Sequence, residues 1–121
     1  MASTPEHDAR IAKMVFSTIW PLYVNKIEKK GRTESELRQV VCWLTGYSDR
    51  QLQKHIDGDT TYAEFFEGAT LHPNAHLING VVCGYRIEEI ETVLTRDCRR
   101  MEKLIEELAR GRKMEKILRS D

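Results

Sequence analysis

The chain has 121 residues, of which 40% are hydrophobic and 31% charged, and its 19 basic side chains balance its 19 acidic ones. This composition excludes a disordered acidic tail and a membrane-embedded chain, and the zero net charge removes the simplest argument for a nucleic-acid or membrane-surface partner. The length predicts one globular domain, residues 10–121, behind a flexible N-terminal stretch, residues 1–9. Because residues 1–10 are polar and lack the apolar region of a signal peptide, we expect a soluble cytoplasmic protein.

The first predicted helical region contains a proline. Apolar residues from Ile11 to Ile27 keep the spacing of one helix face. Pro21 lies in the middle of this stretch, and proline removes a backbone hydrogen bond and disfavours helix at the preceding residue. We therefore expect either a kink near Trp20 or two short helices, followed by a basic loop at residues 29–32.

Three capping boxes follow in series. In this motif a hydroxyl and a Glu or Gln three residues later accept hydrogen bonds from the unpaired amides at a helix start. The boxes are Thr33–Glu36, Ser48–Gln51 and Thr61–Glu64. They predict three helices, which we expect to end at Gly46, at Gly58 and at Gly68, with Gly46 in the left-handed conformation.

Residues 71–86 allow two interpretations. The spacing of the apolar residues between Leu77 and Tyr85 favours a helix, with Asn74 as N-cap and Gly84 as C-cap. Valines between glycines also suit a short buried strand from Gly80 to Arg86. We favour the helix and keep the strand as the alternative.

The longest predicted helix is close to the C-terminus. Apolar residues from Ile87 to Leu108 form a continuous helical stripe, which predicts a helix over residues 87–110 that ends at Gly111, and a short terminal helix follows. The elements together predict a mainly α-helical, compact single-domain bundle of five to seven short helices around this long C-terminal helix, with a short strand at 80–86 as the open alternative. We expect the apolar faces, including Leu22 and Val81, to form its core.

Cysteine and histidine patterns predict no catalytic residue, metal site or cofactor. Cys42, Cys83 and Cys98 contain no C-x-x-C pair and lie among apolar neighbours, which is typical of reduced, buried thiols. His72 and His76 have the spacing of zinc ligands on a helix, but a proline lies between them. We interpret both histidines as structural or surface residues.

Charge is distributed unevenly along the chain. Residues 1–32 carry six basic and three acidic residues, whereas residues 33–85 carry three basic and seven acidic residues. The first hypothesis is therefore a non-enzymatic interaction module that forms a homo-oligomer, a dimer, through its basic front and acidic middle. Residues 33–57 have the outline of a helix-turn-helix, but their acidic charge argues against nucleic-acid binding.

The second hypothesis is a pocket for a small molecule or anion, with or without catalytic activity. Aromatic residues with polar tips can line such a pocket, and an arginine that points inward must pair with a carboxylate or bind an anion. The pocket is expected near Trp43, Tyr47, Cys83 and Arg86. The candidate binding residues are Lys13, Trp43, Tyr47, Cys83, Arg86 and Glu89.

Several strings of residues are distinctive. They are Lys13-Met14 with Phe16, Pro21-Leu22-Tyr23, residues 28–33 (EKKGRT), residues 42–47 (CWLTGY), residues 80–90 (GVVCGYRIEEI) and parts of the ending from Lys103 to Leu118. Over residues 10–119 the chain resembles domain-of-unknown-function family 2200. The resemblance implies a small, soluble, stand-alone domain of mostly bacterial occurrence and no catalytic residue. The family often has Asp-Pro where this chain has Thr92-Val93, so we expect the long helix to start earlier here.

Overall fold

Seven α-helices and one small β-hairpin build the part of the chain, residues 4–120, that the computed structural model describes. In chain order the elements are α1 (Pro5–Lys13), α2 (Phe16–Glu28), α3 (Glu34–Thr45), α4 (Asp49–Asp57), α5 (Tyr62–Glu67), β1 (Val81–Val82), β2 (Tyr85–Arg86), α6 (Val93–Ala109) and α7 (Met114–Ile117). The central element is α6, which contacts α1, α2, α3, α5, α7 and β1. The predicted mainly helical bundle is confirmed, and no helix among the described residues is long and apolar enough to cross a membrane.

Helix α1 begins earlier than the sequence suggested. Residues 5–9, expected in a flexible stretch, are helical, because the Thr4 hydroxyl caps the helix by accepting the N–H of His7 at 3.1 Å. Asp8 then connects α1 to the start of α6 by accepting the hydroxyls of Thr92 and Thr95, both at 2.6 Å. Residues 1–3 of the expected flexible stretch lie outside the described residues.

The front of the chain forms two helices, as one of the two alternatives predicted, but Pro21 does not separate them. The break lies at residues 14–15, and Pro21 is inside α2. At the break the N–H of Phe16 donates to the carbonyl of Thr60 at 2.8 Å, and a second bond of 2.8 Å joins the same two segments. Tertiary hydrogen bonds, rather than proline, therefore decide where the first helix ends.

The three helices predicted from capping boxes are confirmed. In α3, α4 and α5 the N-cap hydroxyl and the third-position side chain both accept their backbone amides. Gly46 ends α3 with φ +75°, and its N–H donates to the carbonyl of Cys42 at 3.0 Å. These local hydrogen bonds need no distant partner, which is why the sequence predicts them well.

The helix predicted between residues 77 and 86 is wrong, and the strand alternative is closer. A 3₁₀ turn, Ala75–Leu77, leads into an antiparallel hairpin in which Val82 pairs with Tyr85. The predicted start of the long helix at residue 87 is also wrong. Residues 87–89 form a second 3₁₀ turn, and α6 starts at Val93. The helix therefore starts at the place where the family often has Asp-Pro, and not before it.

The core is mostly as predicted, with two exceptions that define an exposed surface. Phe16, Tyr62 and Phe65 are fully buried at its centre. In contrast, Leu22 on α2 is 58% exposed and Val81 on β1 is 47% exposed. A side chain can follow the apolar period of its element and still lie on an edge that no other element covers.

Candidate functional site

A cavity of about 220 Å³ lies between α2, the hairpin and α6. We call it the hairpin pocket. Its lining residues are Ile19, Leu22, Tyr23 and Lys26 from α2, Val82 and Cys83 from the hairpin, and Glu102 and Ile105 from α6. The four α2 residues share one helix face because they follow the three- and four-residue spacing of a helix. The pocket therefore combines an aliphatic wall with one cationic, one anionic and one hydroxyl-bearing side chain.

Tyr23, which lines this pocket, is paired with the fully buried Tyr62. The hydroxyls of Tyr23 and Tyr62 lie 2.5 Å apart. Burial is the main cause that raises the pKa of both groups, so both hydroxyls are protonated at neutral pH. One of the two protons lies between the oxygens. Because Tyr62 is fully enclosed and has no other side-chain hydrogen bond among the described residues, we assign it as the donor. With this assignment the proton of Tyr23 is not used by Tyr62, and Tyr23 is one of the residues that line the pocket.

Glu102 is held from behind by a buried arginine. The Arg99 side chain is 9% exposed and donates from one terminal nitrogen to Oε1 of Glu102 at 2.7 Å. Its other terminal nitrogen lies 3.1 Å from His7 Nε2, and its guanidinium lies over the Tyr85 ring at 4.5 Å. The thiol of Cys98 also donates to Oε1, at 3.9 Å. Within residues 4–120, Oε2 of Glu102 has no hydrogen-bond donor from the protein.

Cys83 lies in the hairpin turn, in a conformation that is unfavourable for its residue type. Its φ of +53° is the one positive value of a non-glycine residue in the described part of the chain. With Gly84 at φ +81° it forms a two-residue turn of the type that normally contains Asn-Gly. The left-handed conformation costs about 1–2 kcal/mol for a residue with a Cβ, and such strain concentrates at functional sites.

The cysteines differ in exposure from the sequence expectation. All three are free; Cys98 is buried, Cys42 is half-buried and Cys83 is exposed, so the prediction of three buried thiols is wrong for Cys83. Desolvation by burial is the first cause that raises the pKa of each thiol. None of them is therefore activated as a thiolate at neutral pH.

Two of the other cavities have less binding chemistry to offer. A shallow groove of about 660 Å³ beside α3 contains Arg38, but this guanidinium is already paired with Glu34 at 3.3 Å and with Asp49 at 3.0 Å. A cavity of about 280 Å³ between α5 and α6 is lined by apolar groups and the carboxylates of Glu67 and Asp97, without a side-chain donor. Residues 4–120 also contain no group of three or more His, Cys, Asp or Glu side chains that could hold a metal ion.

Comparison with known proteins identifies the family. The family model described as "Uncharacterized protein conserved in bacteria (DUF2200)" matches residues 10–119. The chain belongs to the DUF2200 family. It is also similar to a solved structure, "Crystal structure of uncharacterized protein SP1917", with 35% sequence identity, a TM-score of 0.86 and coverage of 90% of both chains. No curated protein matches the chain. The resemblance seen in the sequence is thus confirmed, and the fold is shared with a solved structure.

In this DUF2200 member the aromatic candidates Trp43 and Tyr47 are packing residues. Trp43 stacks on His72 with ring centroids 4.2 Å apart and donates from Nε1 to Ser120 at 3.0 Å. The hydroxyl of Tyr47 donates to the carbonyl of Phe65 at 2.5 Å. Both polar tips are therefore already satisfied by the protein itself.

The charged candidates also lie outside the hairpin pocket. The Arg86 side chain is 52% exposed and forms long ion pairs with Glu88, 3.6 Å, and Glu89, 3.9 Å. Lys13 is exposed at the end of α1. Of the six candidate binding residues in this DUF2200 member, only Cys83 lines the hairpin pocket, and the structure does not bring Trp43, Tyr47, Cys83 and Arg86 together.

Sequence reasoning missed Tyr23, Lys26 and Glu102 as members of one site. The sequence placed Tyr23 in the helical spacing of the first region, Lys26 among the basic residues of the front and Glu102 on the polar face of the long helix. The one usable signal was the α2 face of residues 19, 22, 23 and 26, whose aliphatic stripe ends in a lysine. Pairing that face with α6 required the fold.

Proposed function

We propose that this DUF2200 member is a non-enzymatic binding domain whose ligand site is the hairpin pocket. One observation carries the proposal: the side chains of Tyr23, Lys26 and Glu102 converge on a small cavity that is otherwise aliphatic. A concave apolar site with a few convergent polar groups is the usual form of a small-molecule site. The strained turn at Cys83 on its rim supports the same location.

The acid–base properties of the site favour binding over covalent chemistry. A nucleophilic cysteine needs a lowered pKa, whereas burial raises the pKa of the Cys98 thiol and partial desolvation raises the pKa of the exposed Cys83 thiol. The tyrosine pair is likewise held in its neutral form by burial. Three free cysteines, one of them exposed, also support our placing of this protein in the reducing cytoplasm.

Native mass spectrometry of protein purified gently from its source organism tests the proposal. Leu22 is exposed on the rim of the pocket, so Leu22→Trp places a large side chain at the entrance with little risk to the core. Leu77→Trp is the matched control, because Leu77 is also exposed, at 43%, and does not line the pocket. We expect a bound mass in wild type and in the control, and its loss in Leu22→Trp. A bound mass that survives in Leu22→Trp, or is missing in all three proteins, contradicts the proposal.

Self-association is a second proposal, supported by the same surface. Leu22 is apolar and exposed, Lys26 lies one helical turn further along α2, and Glu102 lies across the pocket. A two-fold axis near Leu22 would place the cation of each copy opposite the anion of the other, the self-complementarity that a symmetric dimer needs. The acidic middle offers less, because its Glu34 and Asp49 are paired with Arg38 within the chain.

Sedimentation equilibrium at 0.1 M and 1 M NaCl distinguishes the two dimer models. A dimer through Leu22 should weaken only in part in 1 M salt, because its apolar contact is not screened, and be lost in Leu22→Asp, whereas Leu77→Asp should leave it intact. A dimer through the basic front and the acidic middle should weaken in high salt, because screening is strong at this ionic strength. A monomer under all conditions would contradict both models.

A further inference from the structure

We infer that the ligand of the hairpin pocket is a small zwitterion with an aliphatic side chain, that is, a free α-amino acid of the leucine, valine or methionine class. The inference rests on the proposed binding function and adds the chemical class of the ligand. It follows from the size of the pocket, from the presence of a lysine and a carboxylate in its lining that are not paired with each other, and from the hydrogen-bonding groups that the protein leaves unused.

The size of the pocket restricts the ligand. A volume of about 220 Å³ is smaller than the ~300–1,000 Å³ of sites for drug-sized molecules. At about 30 Å³ of liquid volume per water it corresponds to roughly seven waters. A compound with on the order of ten non-hydrogen atoms fits this space, whereas most of a nucleotide would lie outside it.

The two charged side chains of the pocket do not neutralise each other. Lys26 and Glu102 line the same cavity, but no ion pair or hydrogen bond joins them among the described residues. Lys26 also has no other hydrogen bond or ion pair with the protein within residues 4–120. Arg99 offsets part of the charge of Glu102 but bonds only Oε1. An anionic ligand would still meet the unpaired Oε2, and a cationic ligand would meet the ammonium group of Lys26. A zwitterion presents the opposite charge to each of them and is favoured by electrostatic complementarity.

The free hydrogen-bonding groups match an amino-acid headgroup. Oε2 of Glu102 has no donor from the described protein and can accept from an ammonium group. Arg99 bonds Oε1 from behind and so acts as a positioning residue that orients the carboxylate. The spare proton of Tyr23 and the ammonium of Lys26 can both donate to a ligand carboxylate. Charge-assisted hydrogen bonds of this kind are the stronger ones in proteins.

The remaining wall selects an aliphatic side chain. Ile19, Leu22, Val82 and Ile105 supply the apolar part of the lining. Burial of apolar ligand surface against them contributes binding energy in proportion to its area. A zwitterion without a side chain, such as glycine, would leave this wall in contact with water and should therefore bind more weakly.

Isothermal titration calorimetry of the full chain with L-leucine tests the inference. The comparison ligands each lack one feature: 4-methylpentanoate lacks the ammonium group, 3-methylbutylamine lacks the carboxylate, and glycine lacks the side chain. We expect each to bind at least about tenfold more weakly than L-leucine, since a hydrogen bond to a charged group contributes about 1.5–3 kcal/mol and tenfold corresponds to about 1.4 kcal/mol.

Two variants assign the charges to individual residues. Glu102→Gln keeps an acceptor for Arg99 and should remove the preference for L-leucine over 4-methylpentanoate. Lys26→Met should remove the preference for L-leucine over 3-methylbutylamine. Lys13→Met is the control, because Lys13 is exposed and does not line the pocket, and it should bind like wild type. Circular dichroism of each variant confirms that it is folded.

The outcomes separate this inference from the proposed function. If no member of the ligand set binds, or if 4-methylpentanoate or 3-methylbutylamine binds as tightly as L-leucine, the zwitterion inference is overturned. The proposed function still stands in that case if native mass spectrometry finds a bound mass that Leu22→Trp removes. If L-leucine binds equally well to Leu22→Trp, Glu102→Gln and Lys26→Met, it binds outside the pocket and the zwitterion inference fails. The proposed function fails as well if native mass spectrometry finds no bound mass that Leu22→Trp removes.

Discussion

The buried tyrosine pair yields an asymmetric prediction for stability. Tyr62 is fully enclosed and bonds to Tyr23, whereas Tyr23 also lines the hairpin pocket. Tyr23→Phe removes the acceptor of the Tyr62 hydroxyl and leaves a donor buried without a partner. Tyr62→Phe removes only the donor, and the hydroxyl of Tyr23 keeps access to the pocket. The first substitution should therefore be the more destabilising of the two.

The magnitudes follow from the price of a buried polar group without a partner. An unsatisfied buried donor costs about 1–3 kcal/mol, and loss of an ordinary hydrogen bond costs about 0.5–1.5 kcal/mol. We expect Tyr23→Phe to cost about 2 kcal/mol and Tyr62→Phe about 1 kcal/mol. In a chain of this length 1 kcal/mol lowers the Tm by about 4 °C. The double variant leaves no buried hydroxyl without a partner. Its loss of unfolding free energy should therefore be smaller than the sum of the two single losses by about 1–2 kcal/mol.

Urea denaturation of the four proteins of this cycle, followed by circular dichroism, measures these free energies of unfolding. Tyr47→Phe serves as the control, because its hydroxyl bonds to the carbonyl of Phe65 and shares no partner with the pair. Its cost should add to that of Tyr23→Phe. If Tyr62→Phe is as destabilising as Tyr23→Phe, or if the two costs are additive, the assignment of Tyr62 as the donor is wrong. The inference that Tyr23 has an unused proton is then refuted.

Three further results are expected. The N–H of Thr61 is the first cause that lowers the pKa of the Glu64 carboxyl. The stabilisation that this hydrogen bond gives is therefore present above the unfolded pKa of about 4.3 and is lost as the pH falls through the lower folded pKa. The Tm should fall less between pH 5 and pH 3 in Glu64→Gln than in wild type, and an equal fall would contradict this. Gly31→Ala should lower the free energy of unfolding, measured by urea denaturation, by ~1 kcal/mol, because Gly31 has a positive φ. Gly46→Ala should lower it by at least twice as much, because Gly46 also has a positive φ and its new Cβ would lie 2.7 Å from a backbone carbonyl oxygen. Equal costs would show that the backbone relaxes. Iodoacetamide at pH 7, read by peptide mass spectrometry, should label Cys83 before the other two cysteines because Cys83 is the exposed thiol; simultaneous labelling of all three would argue against the described burial.

The parts of the fold that the sequence predicted correctly depend on nearby residues. The capping boxes that start α3, α4 and α5 use side chains three residues from the N-cap, and the left-handed end of α3 uses a glycine. Neither device depends on what packs against the helix. The same is true of the amphipathic stripe that predicted most of α6.

The errors occur where a distant segment supplies the hydrogen bonds. The break between α1 and α2 is set by bonds to residues 60–62, and the hairpin at residues 81–86 replaces a helix whose apolar spacing looked convincing. Short apolar runs fit helix and strand periods equally well. The start of α6 was predicted too early because Ile87 and Ile90 fit the helical spacing, whereas in the structure a 3₁₀ turn buries them.

The sequence by itself therefore determined the helical class, most of the helix starts and ends and the family, because these depend on local hydrogen bonds, on periodicity and on strings of residues. Only the tertiary structure decided the candidate site. It placed Tyr23 and Lys26 of α2, Cys83 of the hairpin and Glu102 of α6 around one cavity, although these three elements are far apart in the chain. It also satisfied the polar tips of Trp43 and Tyr47, two predicted binding residues, with partners from the protein. A binding pocket depends on which faces of distant elements meet, and that information is not present in any single segment.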